Sequence, residues 1–90
     1  MKTEITKVFD TTIGDYTDQI QIQGFVGDKK VMTIQKVGNQ FLVVQTAVLP
    51  MDLVEVENTL QIQQKTLELF HDFCEGKATT GETRFIGKVV

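Results

Sequence analysis

Leu53 to Glu75, LVEVENTLQIQQKTLELFHDFCE, is the one long segment with helical spacing, and the apolar runs before it have the spacing of strands. A chain built this way has few folds open to it. Its strands assemble through local hairpins, and one helix must then cover the resulting sheet.

The helix carries more apolar surface than that task needs. With Leu60 at zero, Leu53, Val56, Leu67 and Cys74 fall within roughly 40° and Phe70 about 80° away, while Ile62, Leu69 and Phe73 gather near roughly 200°. Gln61, Lys65, Glu68, Asp72 and Glu75 occupy the only sector built for water. The apolar arc, with Thr59 and Thr66 inside it, spans about 200°, where a helix lying on one sheet needs about 100°. Leu60, Leu67, Phe70 and Cys74 suffice for the sheet. Ile62, Leu69 and Phe73 are then left for a second surface, and their spacing suits a seam against a helix of another subunit. The competing arrangement covers them with the N-terminal arm or the C-terminal strand of the same chain.

Both helix ends are marked. Asp52 followed by Glu55 has the capping-box spacing, with Met51 and Val56 placed as a staple, and Asn58 with Gln61 offers a later start. Gly76 stands where a left-handed cap closes a helix, and Lys77 follows at the negative end of its dipole.

Before the helix the chain reads as a meander, with strands at about 4–9, 19–26, 31–37 and 41–49. A last strand is expected at 85–90, and one α+β domain over 1–90. Gln19-Ile20-Gln21-Ile22-Gln23 alternates strictly. Asp10 to Asp18 is rich in turn formers and reads as a loop, Gly27 to Lys30 as a turn, and Gly38-Asn39 as a two-residue hairpin turn. Pro50 ends the fourth strand. Lys77 to Arg84 reads as a polar linker.

Pairing Val26 with Val31, Phe25 with Met32, and Ile34 with Val43 sorts the side chains into two faces. Ile20, Ile22, Val26, Val31, Val37, Leu42, Val44 and Val48 form the face assigned to the helix. The other face mixes Gln21, Gln23, Lys36 and Gln45 with Phe25, Met32, Ile34, Phe41 and Val43. Those five apolar residues form a patch of the kind that marks an interaction site, unless a terminal strand folds across it.

Motifs that carry chemistry are not found. His71 and Cys74 share a helix flank, but a zinc site needs two more ligands and the chain has no second Cys or His. Cys74 lies within the apolar arc, where a small buried hydrophobe is the ordinary outcome. The carboxylate pairs Glu55/Glu57 and Asp72/Glu75 sit on solvated helix positions. Gly24-Phe25-Val26-Gly27 spells a GXXG loop but enters a hairpin rather than joining two helices. No catalytic residue, metal or cofactor is expected, and the chain is read as a non-enzyme.

A rival reading is single-stranded nucleic-acid binding on the outer sheet face. Phe25 and Phe41 would stack bases, and Lys29, Lys30 and Lys36 would meet phosphates. The meander-then-helix order is similar to that of the dimeric β-sheet binders of single-stranded DNA of the transcription-coactivator type, in element order alone. A formal net charge of −3 disfavours this reading.

The lone cysteine leaves no intrachain disulfide, and no apolar run reaches the roughly 18 residues of a membrane span. The N-terminus lacks a signal-peptide core. The expectation is a cytoplasmic, non-membrane, non-catalytic binding or regulatory protein. It is expected to act through protein–protein association, as a homodimer with a further, unidentified protein partner.

Overall fold

Gly27 and Gly38 fold the first half of the chain back on itself. Each takes a positive φ, +63° and +59° respectively, which a two-residue hairpin turn demands and a side chain resists. The computed structural model describes residues 1–45 and 52–87. Its elements are β1 (Lys2–Asp10), β2 (Asp15–Val26), β3 (Lys29–Val37), β4 (Gln40–Gln45), α1 (Leu53–Cys74) and β5 (Thr83–Phe85). The strands form one antiparallel sheet in the order β4-β3-β2-β1-β5, with α1 packed on one side. The fold is α+β with a meander sheet on one long helix, as the spacing predicts. No described helix is long and apolar enough to cross a membrane.

Several strand boundaries differ from the sequence reading, with β1, β3 and β4 starting one or two residues early. The stretch Asp10–Asp18 is not a loop, because β1 and β2 run into it and pair Phe9 with Tyr16 and Asp10 with Asp15. The Phe9 and Tyr16 rings meet edge to face, 5.2 Å apart, and cross-strand aromatic pairs of this kind hold a hairpin arm together. The last strand starts at Thr83, inside the expected polar linker, where it adds to the free edge at Lys2–Glu4. Residues 46–49 of the expected fourth strand, the Pro50 stop, the Met51 staple and residues 88–90 lie outside the described residues.

The larger correction concerns which side chains face the helix. The turn between β2 and β3 is two residues long, pairing Val26 with Lys29 and Phe25 with Lys30. Val31 is then an extra residue before Met32 pairs with Gly24. The expected register is therefore off by one, and a one-residue slip turns every side chain of a strand to the other face. The β3–β4 pairing of Ile34 with Val43 is as expected, so β3 and β4 turn over together. Ile5, Ile22, Ile34 and Val43 form one row beneath the helix. Thr3, Gly24, Met32 and Gln45 form a second, and Lys7, Ile20, Lys36 and Phe41 a third. Val37, Leu42 and Val44 face away.

The helix is rotated relative to expectation by the same measure. Thr59, Ile62, Thr66 and Leu69 are its buried residues. Of the residues the spacing assigns to the sheet, Leu60, Leu67 and Cys74 are exposed and Phe70 alone reaches the core margin. Gly24 explains the choice. A Cβ built there would collide with the Thr66 hydroxyl and lie 2.7 Å from Ile62 Cγ2. The helix thus seats a pair of β-branched side chains on a bare patch of backbone. The core beneath it is Ile5, Ile22, Met32, Ile34, Leu69 and Ala78, with Ile20, Phe70 and Phe73 packed at its margin.

Both helix ends match their sequence marks. The Asp52 carboxylate accepts from the Glu55 N–H at 2.8 Å, so the helix starts at Leu53 rather than near Thr59. At the other end Gly76 takes φ +76°, and the Lys77 N–H returns to the Asp72 carbonyl at 2.7 Å.

Candidate functional site

The five strands end in two unlike edges. β5 is three residues long, and its Arg84 guanidinium is clamped by Asp72 of α1 at 2.8 Å and by Glu82 at 2.7 Å. The hydrogen bond to Asp72, followed by that to Glu82, raises the guanidinium above its ordinary, already strongly basic range. A short strand guarded by charges is how sheets close an edge against pairing.

The β4 edge has no such guard. From Val37 to Met51 the chain contains no Asp, Glu, Lys, Arg or His. Phe41, Leu42, Val43 and Val44 are all 40–60% exposed, and no described strand pairs with the outer side of β4. A two-residue turn closes on the hydrogen-bonded pair Val37–Gln40. Alternation along the ladder then points the N–H and C=O groups of Phe41, Val43 and Gln45 away from β3.

Among the described residues the helix touches the inner face of β4 only at its margin, where Phe70 meets Phe41. It packs chiefly on β2, with β3 and β1 beside it, and makes no comparable packing with β4. What results is a step. Its floor is Phe41, Val43 and Gln45, and its wall is the flank of α1 that carries Gln63, Leu67, Phe70 and Cys74. Gln63 Nε2 fixes that flank by donating to the Val31 carbonyl at 3.1 Å, and the Phe70 ring lies 5.3 Å from the Phe41 ring. At the end of the step Lys36, Asn39, Phe41, Phe70, Phe73 and Cys74 line a cavity of about 450 Å³. Lys36 Nζ stands 6.0 Å over the Phe73 ring, the one charged group in that lining.

The residues expected to meet a partner are dispersed by this arrangement. Ile62, Leu69, Met32 and Ile34 are fully buried in their own chain and have no surface to offer. Phe73 is half-buried at the core margin, and Phe25 is half-buried on the outer face under Lys2 Nζ, 5.1 Å from its ring. Phe41 and Val43 stay accessible, side by side on the β4 floor. Leu42, Val44, Leu60 and Leu67, which the spacing assigns to the sheet–helix interface, are exposed instead. The sequence mark that would have found the first two is the absence of charge from Val37 to Met51.

The residues of the nucleic-acid reading are likewise separated. Phe25 and Lys30 are paired neighbours on the outer face, Lys29 closes the turn, and Lys36 and Phe41 lie on the helix side. No single surface combines both aromatics with the lysines. His71 pairs with Glu75 at 3.1 Å on the exposed helix surface, and Cys74 is exposed rather than buried. Among the described residues no three His, Cys, Asp or Glu come together as metal ligands would.

Compared with known proteins, the chain matches no family model, no curated protein sequence and no solved structure.

Proposed function

We propose that this is a non-catalytic association protein that works as a homodimer joined at β4. The observation that carries the reading is the uncharged, doubly exposed β4 edge, set against the clamped β5 edge on the other side of the same sheet. Left open, a strand of this kind is a template for pairing. A second copy supplies a partner of matching length and character.

A two-fold axis that joins two antiparallel edges stands perpendicular to the sheet, so residues of like face must pair. Centring the axis on Val43 sets Val43 against its own copy, Phe41 against Gln45 and Leu42 against Val44. The outward N–H and C=O groups of Phe41, Val43 and Gln45 then all find partners. The two sheets become one, with both helices on the same side.

Sedimentation equilibrium at tens of micromolar tests this, with twice the chain mass expected. Val43→Pro removes an outward N–H from a strand that tolerates proline only because it is an edge, and Leu42→Lys/Val44→Lys sets like charges opposite one another across the axis. Both variants should run as folded monomers. A wild-type chain that stays monomeric, or variants that stay dimeric, would refute the proposal.

A further inference from the structure

We infer that the β4-joined dimer forms a binding floor for one amphipathic helix of another protein, its apolar stripe flanked by carboxylates. The inference rests on the homodimer proposed above.

In one chain the accessible inner strip is a single strand wide, Phe41, Val43 and Gln45, between the α1 flank and the free edge. Strands lie about 4.8 Å apart, so that strip is about half as wide as a helix, whose diameter is about 10 Å. Joining two β4 strands doubles it. The two-strand floor is then about 10 Å across, one helix wide, and walled on each side by an α1 flank. The site is incomplete without the second copy.

The chemistry of the floor selects the occupant. The face of a sheet presents side chains only, because its N–H and C=O groups are spent within the plane of the ladder. An extended segment laid there would leave its own backbone unsatisfied, whereas a helix brings its hydrogen bonds with it. The strands contribute Phe41, Val43 and Gln45 and the helix flanks Gln63, Leu67, Phe70 and Cys74, so the buried stripe must be mainly apolar. The cavity of about 450 Å³ beside Phe41 has room for a bulky anchor side chain. Lys36 is the charged group of that lining, and the two-fold axis repeats it at the opposite end of the floor. Carboxylates beside the stripe meet it at both ends.

The probe is a capped, fluorescein-labelled alanine-rich peptide of about 18 residues, long enough to be helical in water. It carries Leu and Phe at helical spacing and Glu on both flanks. A second peptide has Lys in place of Glu, and a third has the same composition scrambled. The full chain is titrated by fluorescence anisotropy, and the mass and stoichiometry of the complex are read by sedimentation.

One Glu-flanked peptide per two chains is expected, with the scrambled peptide at least tenfold weaker. Leu67→Glu, on the exposed wall, should weaken binding at least tenfold while the dimer mass is unchanged. Lys36→Glu should reverse the preference between Glu and Lys flanks. A wild-type monomer overturns the homodimer and this inference with it. An intact dimer that takes no peptide overturns this inference alone. One peptide per chain, equal binding by the monomeric Val43→Pro variant, or a peptide that splits the dimer each overturns it too.

Discussion

Adding one methyl group at Gly24 tests how the helix is seated. The new Cβ would fall against the Thr66 hydroxyl, 2.7 Å from Ile62 Cγ2 and 3.4 Å from Thr66 Cβ. All three atoms belong to α1, and Ile62 and Thr66 are fully buried, so neither can swing into open space. Thr66 is further held by its hydroxyl, which donates to the Ile62 carbonyl at 2.7 Å. The helix must therefore lift as a unit, loosening Leu69 from the core. Overpacking of this kind costs about 1–3 kcal/mol, and a lift of the whole element places Gly24→Ala in the upper half of that range. For a domain of this size such a loss lowers Tm by about 10–20 °C. Gly24 has no positive φ, so backbone strain adds nothing. Trimming the obstacle should relieve most of the clash, making the loss from Gly24→Ala at least about 1 kcal/mol smaller in a Thr66→Ala background. Urea unfolding of the four chains of the cycle measures it. A neutral Gly24→Ala, or an equal loss in both backgrounds, would show that the helix does not rest on this glycine.

Four further outcomes follow from burial and bonding. Leu69→Ala should cost about 2–5 kcal/mol, whereas Leu60→Ala, at a position 60% exposed, should cost under about 0.5 kcal/mol; equal losses would return the helix to the face assigned from its spacing. Thr3 is fully buried and its hydroxyl has no hydrogen-bond partner among the described residues, so Thr3→Val should stabilise the fold by about 1 kcal/mol in urea, and a loss would mean that the hydroxyl is satisfied. Asp52→Ala removes the acceptor of the Glu55 N–H and should cost about 1 kcal/mol, read as a lower urea midpoint with an unchanged slope. Arg84→Gln should cost under about 1 kcal/mol, since the clamp is partly exposed. A base whose pKa is raised on folding keeps its full contribution below its unfolded value and loses it only as pH climbs past the folded one. The guanidinium's own titration should therefore leave the Arg84 contribution flat between neutral pH and about 10, and a fall across that window would contradict its assignment.

How much of this was legible depends on what sets each feature. Hairpin turns are local, so Gly38-Asn39 and the Ile34–Val43 register could be read from a few adjacent residues. The first hairpin could not, because one bulged residue, Val31, decides the register of everything after it, and nothing local distinguishes a two-residue turn with a bulge from a four-residue turn. The buried helix face departs from the leucine spacing for a different reason. Leucines outrank threonines as candidates for burial, yet burial here is decided by the surface opposite. A glycine on β2 admits the compact β-branched pair Ile62 and Thr66, and Thr59, Leu69 and Phe73 follow at helical spacing. Both errors have one consequence for the candidate site. The apolar surplus is present, but Ile62, Leu69, Met32 and Ile34 are consumed by the core, and the surplus reappears on Leu60, Leu67 and the whole of β4. Apolar counting along an element detects that a surplus exists. Locating it requires knowing which strand is an edge, a property of strand order rather than of any one strand, and the lack of charge along Gln40–Gln45 is the local feature that accompanies the exposed edge here.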